Sequence, residues 1–139
     1  NREHMKIRTT VVCLPVQNLE QTLHFYRNVF ELPEIQAEEG MIAIELPNLS
    51  LFLMETNAFE AYSTKARRGV QLPTDHVGTI ISCALANKED VDAALKKAPQ
   101  YGGTVSDNAA VDQTYGGYIG YIADPDGHLW ELVYPPQQG

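Results

Sequence analysis

Glu131 is the residue of this chain whose position most demands a chemical explanation. It lies in Asp124-Pro125-Asp126-Gly127-His128-Leu129-Trp130-Glu131-Leu132. The first half of that stretch has the composition of a type I turn, with Asp at the first position, Pro at the second and Gly at the fourth. The second half carries the β-branched and aromatic residues that strands favour. The two-residue period of a strand puts Glu131 on one face with Leu129 and Val133, and Trp130, Leu132 and Tyr134 on the other. A carboxylate on an apolar face is costly unless it is paired, hydrogen-bonded or bound to a metal. Three chemistries are open to Glu131: general acid or base catalysis, orientation of a bound ligand, or metal ligation.

Other residues of suitable type are scattered. His76 shares strand parity with Ile80, but four residues of strand put it roughly 13 Å along, so His76 reaches an ion at the level of Ile80 only if the register shifts or Gly78 marks a bulge. Glu55 falls near the end of an apolar run. Tyr115-Gly116-Gly117-Tyr118 joins two phenols through glycines that let backbone approach a ligand, and both tyrosines are candidate ligand contacts. Arg68, with Lys65 and Arg67, is a candidate contact for an anionic group. His24 reads as a helix packing or surface residue and His128 as a solvent-facing residue at the turn exit. Cys13 and Cys83 sit in apolar runs with no cation beside them in sequence, and read as small hydrophobes without a disulfide.

The whole chain constrains what these residues serve. Its 139 residues suit one structural domain. A net charge of −8 argues against nucleic acid or an anionic membrane as partner. With no membrane-length apolar run and no signal-peptide pattern, the expected location is cytoplasmic. Asn1 to His4 precede Met5 and read as a remnant to be left out of fold reasoning.

The positioning elements repeat. A strand over 6–14 ending at Pro15 leads to a helix capped by Asn18, with Leu19, Leu23, Tyr26 and Phe30 at helical spacing until Leu32-Pro33. Strands are expected over 34–37, 41–46 and 50–56, then a connector with one short helix. The order then restarts: a strand over 77–85, a helix capped by Asn87 with Val91, Ala94, Leu95 and Ala98 on its apolar face, a glycine stop at Gly102-Gly103, and strands over 104–106, 118–123 and 129–134. The expected organisation is a first βαβββ module over 5–56, a connector over 57–76 and a second module over 77–139. This is an α+β fold with two curved mixed sheets around a cleft.

With that repeat and the closing motif together, the chain resembles the vicinal oxygen chelate superfamily, which includes glyoxalase I, bleomycin- and fosfomycin-resistance proteins and extradiol dioxygenases. The resemblance runs from about Met5 to Tyr134. It rests on Leu14-Pro15-Val16, Leu19-Glu20 and Phe25-Tyr26, then Glu89-Asp90-Val91-Asp92, Gly102-Gly103 and Asp124 to Leu132. Metal-dependent members supply four ligands, and the resemblance carries these onto Val11, a position near Leu53 with Glu55 two residues along, Ile80, and Glu131. Val, Leu and Ile cannot ligate a cation. The resemblance therefore implies a small, partly apolar ligand in the cleft, contacted by Val11, Leu53, Ile80, Tyr115, Tyr118 and Arg68, with no metal expected. It also implies a homodimer. The alternatives are a divalent metal held by Glu131, His76 and Glu55 in a lyase or extradiol-type dioxygenase, and a non-catalytic dimeric interaction protein.

Overall fold

A computed structural model describes residues 4–137. Its elements follow in the order β1 (Val11–Val16), α1 (Leu19–Val29), β2 (Ala37–Glu38), β3 (Met41–Leu46), β4 (Leu49–Glu55), α2 (Thr56–Ser63), β5 (Ile80–Ala84), α3 (Lys88–Lys97), β6 (Ala110–Val111), β7 (Tyr118–Ala123) and β8 (Leu129–Tyr134). Short 3-10 turns follow α2 and α3. The chain is α+β, with two four-stranded mixed sheets and three helices, consistent with two tandem βαβββ modules. No helix of the described residues is long and apolar enough to cross a membrane.

The chain forms two compact units. The first holds residues up to Leu19 together with Ile35–Val70. Its sheet runs β1-β4-β3-β2, with β1 parallel to β4 and the other pairs antiparallel. Leu14, Ile42, Ile44, Leu51 and Leu53 share one face and are buried, at about 1.5–3 kcal/mol each for an apolar side chain taken fully out of water. The β2–β3 turn places Glu39 at φ +52° and Gly40 at φ +78°, the two positive values that a two-residue type I′ hairpin needs. Pro15 lies inside β1, not beyond its end. β1 is an edge strand, where the missing N–H costs no ladder bond.

The second unit holds Glu20–Glu34 with the residues from Gln71 onward, so α1 packs here. Its sheet runs β5-β8-β7-β6, with β5 parallel to β8. Trp130, Leu132, Gly120 and Ile122 are buried on the face that receives the helices. Tyr26 and Phe30 of the α1 segment meet Trp130 with ring centroids 5.9 and 4.6 Å away. Val91 and Leu95 of α3 come so near Gly120 that a Cβ there would lie 2.8 Å from Leu95 Cδ1.

The Asp124 turn is the polar anchor of this core. Gly127 N–H donates to Asp124 O at 3.0 Å, as a β-turn requires, with Gly127 at φ +95°. The buried Asp124 carboxylate accepts from Tyr26 Oη at 2.7 Å and from the backbone N–H groups of Asp126 and His128 at 3.0 and 2.9 Å. Trp130 Nε1–H donates to Tyr26 Oη at 3.0 Å. His128, expected to face solvent, is 6% exposed. The turn folds inward because its backbone serves Asp124. The strand expected over 104–106 is only a bridge from Thr104 to Ala123, and the short edge strand is Ala110–Val111 instead.

Candidate functional site

Alternation along β8 puts Trp130 and Leu132 into the core and Glu131 on the opposite face. The register then sets its neighbours: Ser82 of β5 on one side and Tyr121 of β7 on the other. Ser82 Oγ donates to Glu131 Oε1 at 2.6 Å, and Tyr121 Oη donates to Oε2 at 2.5 Å. Two neutral hydroxyls thus meet the need of a carboxylate on an apolar face. A carboxylate offers about four acceptor positions, and these two donors use half of them. The Tyr121 phenol is held above its ordinary pKa, first by the hydrogen bond to Glu131, then by burial and the charges of Glu131 and Asp112. It stays a donor through neutral pH.

Around this centre lies a pocket of about 470 Å³, within the range of small-molecule sites. Ala84, Ile119 and Val133 give it an apolar floor, and the Asp112-to-Gly117 loop gives it a wall. That loop is closed by its own hydrogen bonds. Asp112 N–H donates to Gly117 O at 2.8 Å, Gly116 N–H to Asp112 O at 2.7 Å, and Tyr115 N–H to Asp112 Oδ2 at 2.5 Å. Gly116 sits at φ +89°, a conformation glycine adopts without strain. A Cβ on Gly117 would lie 2.8 and 2.9 Å from Tyr115 Cε2 and Cδ2. The absence of a side chain at Gly117 is what lets the Tyr115 ring lie against the loop.

The residues singled out from sequence part company here. Tyr115 lines the Glu131 pocket. Ile80 shares Glu131's face and is 53% exposed, but it pairs with Leu129, and the residue beside Glu131 is Ser82. Tyr118 shares strand parity with the buried Gly120 and Ile122. Its hydroxyl donates to Asp92 Oδ1 of α3 at 2.5 Å, and Lys88 Nζ lies 4.6 Å from its ring, which takes it away from Glu131. In the first unit, Val11 is exposed and paired with Ser50, whereas Leu53 is fully buried, with Glu55 on the same parity. Arg68 is exposed and donates from Nη1 to Ala66 O at 3.2 Å. His76 is 89% exposed, its Nδ1 2.9 Å from Asp75 Oδ1. Among the described residues, no three His, Cys, Asp or Glu side chains gather where they could hold a metal ion.

Ser82 and Tyr121 were not anticipated, and both had a signal. Ser82 is the one hydroxyl in Ile80-Ile81-Ser82-Cys83-Ala84. Tyr121 follows from counting back across the Asp124 turn, because Ala123 pairs with Leu129 and therefore Tyr121 with Glu131.

The metal that metal-dependent members of the resembled superfamily hold fits these residues poorly. The exposed-face pair on the parallel strands of the second sheet is Ser82 with Glu131. Cys13 and Ser82 each precede a helix start, at Asn18 and Asn87, by the same spacing, and Cys13 pairs with Phe52 on the parallel strands of the first sheet. Phe52 has no donor atom. The Cys13 thiol is pushed up by burial, away from the thiolate a metal binds. Glu131 is left as the one strong ligand at these positions, against the three or four that a catalytic transition metal takes.

Comparison with known proteins agrees with this architecture. The chain is 39% identical over 66 residues to an uncharacterized protein of Mycobacterium bovis, a match covering 48% of this chain and 42% of that protein, so it spans less than half of the relative's length. A glyoxalase-related enzyme from Fulvimarina pelagi superposes with a TM-score of 0.75 at 21% identity, over 91% of this chain and 87% of that one. A hypothetical protein from S. aureus superposes with a TM-score of 0.76 at 24% identity, over 95% and 96%. At those identities the likeness speaks for the fold. Membership rests on the sequence itself, which matches the family's profile over residues 8–132 and includes both repeats and the strand bearing Glu131. The chain belongs to the Glyoxalase/Bleomycin resistance protein/Dioxygenase superfamily.

Proposed function

We propose that this chain binds a small, partly apolar molecule in the pocket around Glu131, and that it does so without the divalent metal on which many members of its family depend. The observation that carries this reading is the state of Glu131 itself. Its two oxygens are held by Ser82 and Tyr121, neutral donors that fix the carboxylate in place and leave acceptor capacity for a ligand. The apolar floor and the Tyr115 wall supply the contact surface that small-molecule sites use for affinity, while a few polar groups set orientation.

The same reading includes a homodimer. The edge strands β1 and β5 carry Val11 and Ile80, 42% and 53% exposed, and edge strands of this kind are commonly covered by a second chain. Light scattering on the purified protein distinguishes a dimer from a monomer.

A screen of aromatic and antibiotic-like molecules by NMR on isotope-labelled protein, in the presence of a chelator, tests the proposal. Binders are expected to move the amide signals of Ser82, Tyr121 and Glu131 together with that of Tyr115. Binding that appears only when a divalent metal is added would overturn it.

A further inference from the structure

The Glu131 pocket is one-sided in charge. Asp112 and Glu131 bring two carboxylates to it, and none of its lining residues is Lys, Arg or His. The donors on Glu131 are hydroxyls, so they satisfy lone pairs without cancelling the charge. Tyr121, held above its ordinary pKa, does not lose its proton at neutral pH and adds no charge of its own. Two phenol rings, those of Tyr115 and Tyr121, line the same space. The Tyr115 ring is seated there by the bare backbone of Gly117 and by the Asp112 carboxylate that accepts from its N–H. Aromatic faces carry negative potential and attract cations. Carboxylate and ring therefore favour the same kind of guest.

Building on the pocket reading above, we infer that its ligand is an organic cation: an ammonium group attached to a flat apolar body. The ammonium occupies the space beside Glu131 and Asp112, and the body lies over Val133 and Ile119 against the Tyr115 ring. A neutral alcohol of the same shape can donate one hydrogen bond to Glu131 but leaves the two negative charges unbalanced. A carboxylate of the same shape is repelled by both, and by a chain whose net charge is −8. A bare metal ion would use neither the phenol rings nor the apolar floor, and the carboxylates alone give it too few ligands.

Matched probe sets test this: an amine, an alcohol and a carboxylate on each of a phenyl, an indole and a naphthyl body, titrated by NMR into the full chain with chelator present. The amine of a set is expected to bind about tenfold or more tightly than its alcohol, as one extra favourable charge contact of ordinary size would give, with shifts at Ser82, Tyr121 and Glu131. The carboxylate is expected to show no binding there. Raising salt from about 50 to about 500 mM should weaken the amine and leave the alcohol unchanged, because exposed charge pairs are screened over that range. Glu131→Gln, which keeps shape and one acceptor, should lower amine affinity about fivefold or more and bring it near that of the alcohol. The salt series needs no variant, so it decides the matter even if Glu131→Gln fails to fold. Equal or tighter binding of alcohol or carboxylate at these amides would overturn the cation inference and leave the pocket standing. No shift at these amides with any probe would overturn both.

Discussion

Tyr121 and Glu131 are direct neighbours across the β7–β8 ladder, and the phenol donates to the carboxylate at 2.5 Å. Ionising Tyr121 would break that hydrogen bond and set two negative charges side by side, which is why its pKa is raised. Glu131→Gln removes the negative partner, so Tyr121 is expected to titrate at lower pH in the variant than in the wild type. Because the folded-state value lies above the ordinary value of about 10, the contribution of this contact to stability is present at neutral pH and is lost only as pH rises through the raised value. NMR titration of the tyrosine ring signals reads this directly. An unchanged or higher Tyr121 pKa in Glu131→Gln would contradict the pairing.

The buried Tyr26–Asp124–Trp130 network makes a prediction about stability. Tyr26→Phe strips Asp124 of its side-chain donor and leaves Trp130 Nε1–H without its acceptor. The expected loss is about 2–3 kcal/mol, the usual cost of orphaning buried polar partners. Asp124→Asn should cost less, because its carbonyl oxygen still accepts from the Asp126 and His128 N–H groups. Urea denaturation gives the order. Equal losses for the two variants would mean that the backbone acceptor role of Asp124 carries little weight.

Asp124 also shapes the pH dependence. Burial, its largest influence, raises its pKa, and the donors and the neighbouring His128 offset this only in part. In the window from about pH 4 up to that raised value, the folded state holds the proton more tightly than the unfolded state, so this group's contribution to stability falls as pH rises. Asp124→Asn lacks that slope. Relative to wild type, the variant should therefore gain stability as pH climbs through the window, read from urea midpoints at several pH values. A relative loss instead would mean that the donors outweigh burial and depress the pKa.

Two glycines separate fold from function. A Cβ on Gly127 would lie 2.0 Å from Pro73 O, at φ +95°, so Gly127→Ala is expected to destabilise by about 3 kcal/mol or more through clash and backbone strain together. Gly117→Ala meets only the edge of the Tyr115 ring at less than 3 Å and can be relieved by swinging that ring away. It should leave the melting temperature within a few degrees of wild type while weakening ligand binding about three- to tenfold, and combining it with Tyr115→Ala should add little further. Thermal unfolding and the ligand titration together check both halves.

How far these relationships could be read from residues alone depended on face and register. β3, β7 and β8 fall where turn chemistry and strand composition place them, because Pro47-Asn48 and Asp124 to Gly127 leave the chain few alternatives. The face of Glu131 was legible from alternation within β8. What lay across from it was not, since pairing between β5 and β8 joins segments 49 residues apart that share no turn. A one-residue slip exchanges faces, and that is the difference between Leu53, fully buried, and Phe52, its half-buried neighbour on the opposite face. Register also decides the neighbours of Tyr118: the glycines before it suggest an approach to ligand, and its parity turns it toward α3, where its hydroxyl donates to Asp92. The packing of α1 in the second unit had no local signal, because the apolar stripe of a helix does not say which sheet will cover it.

The most direct test of a metal-free Glu131 pocket is a paired measurement on the purified protein: metal content by elemental analysis after equilibration with Ni²⁺, Zn²⁺, Mn²⁺ and Fe²⁺, and binding of an aromatic ammonium probe before and after chelation. The account predicts well under one metal per chain, the same in wild type and Glu131→Gln, and probe binding that the chelator does not change. One metal per chain that disappears in Glu131→Gln, with probe binding lost on chelation, would contradict it and place the chain among the metal-dependent members of its family.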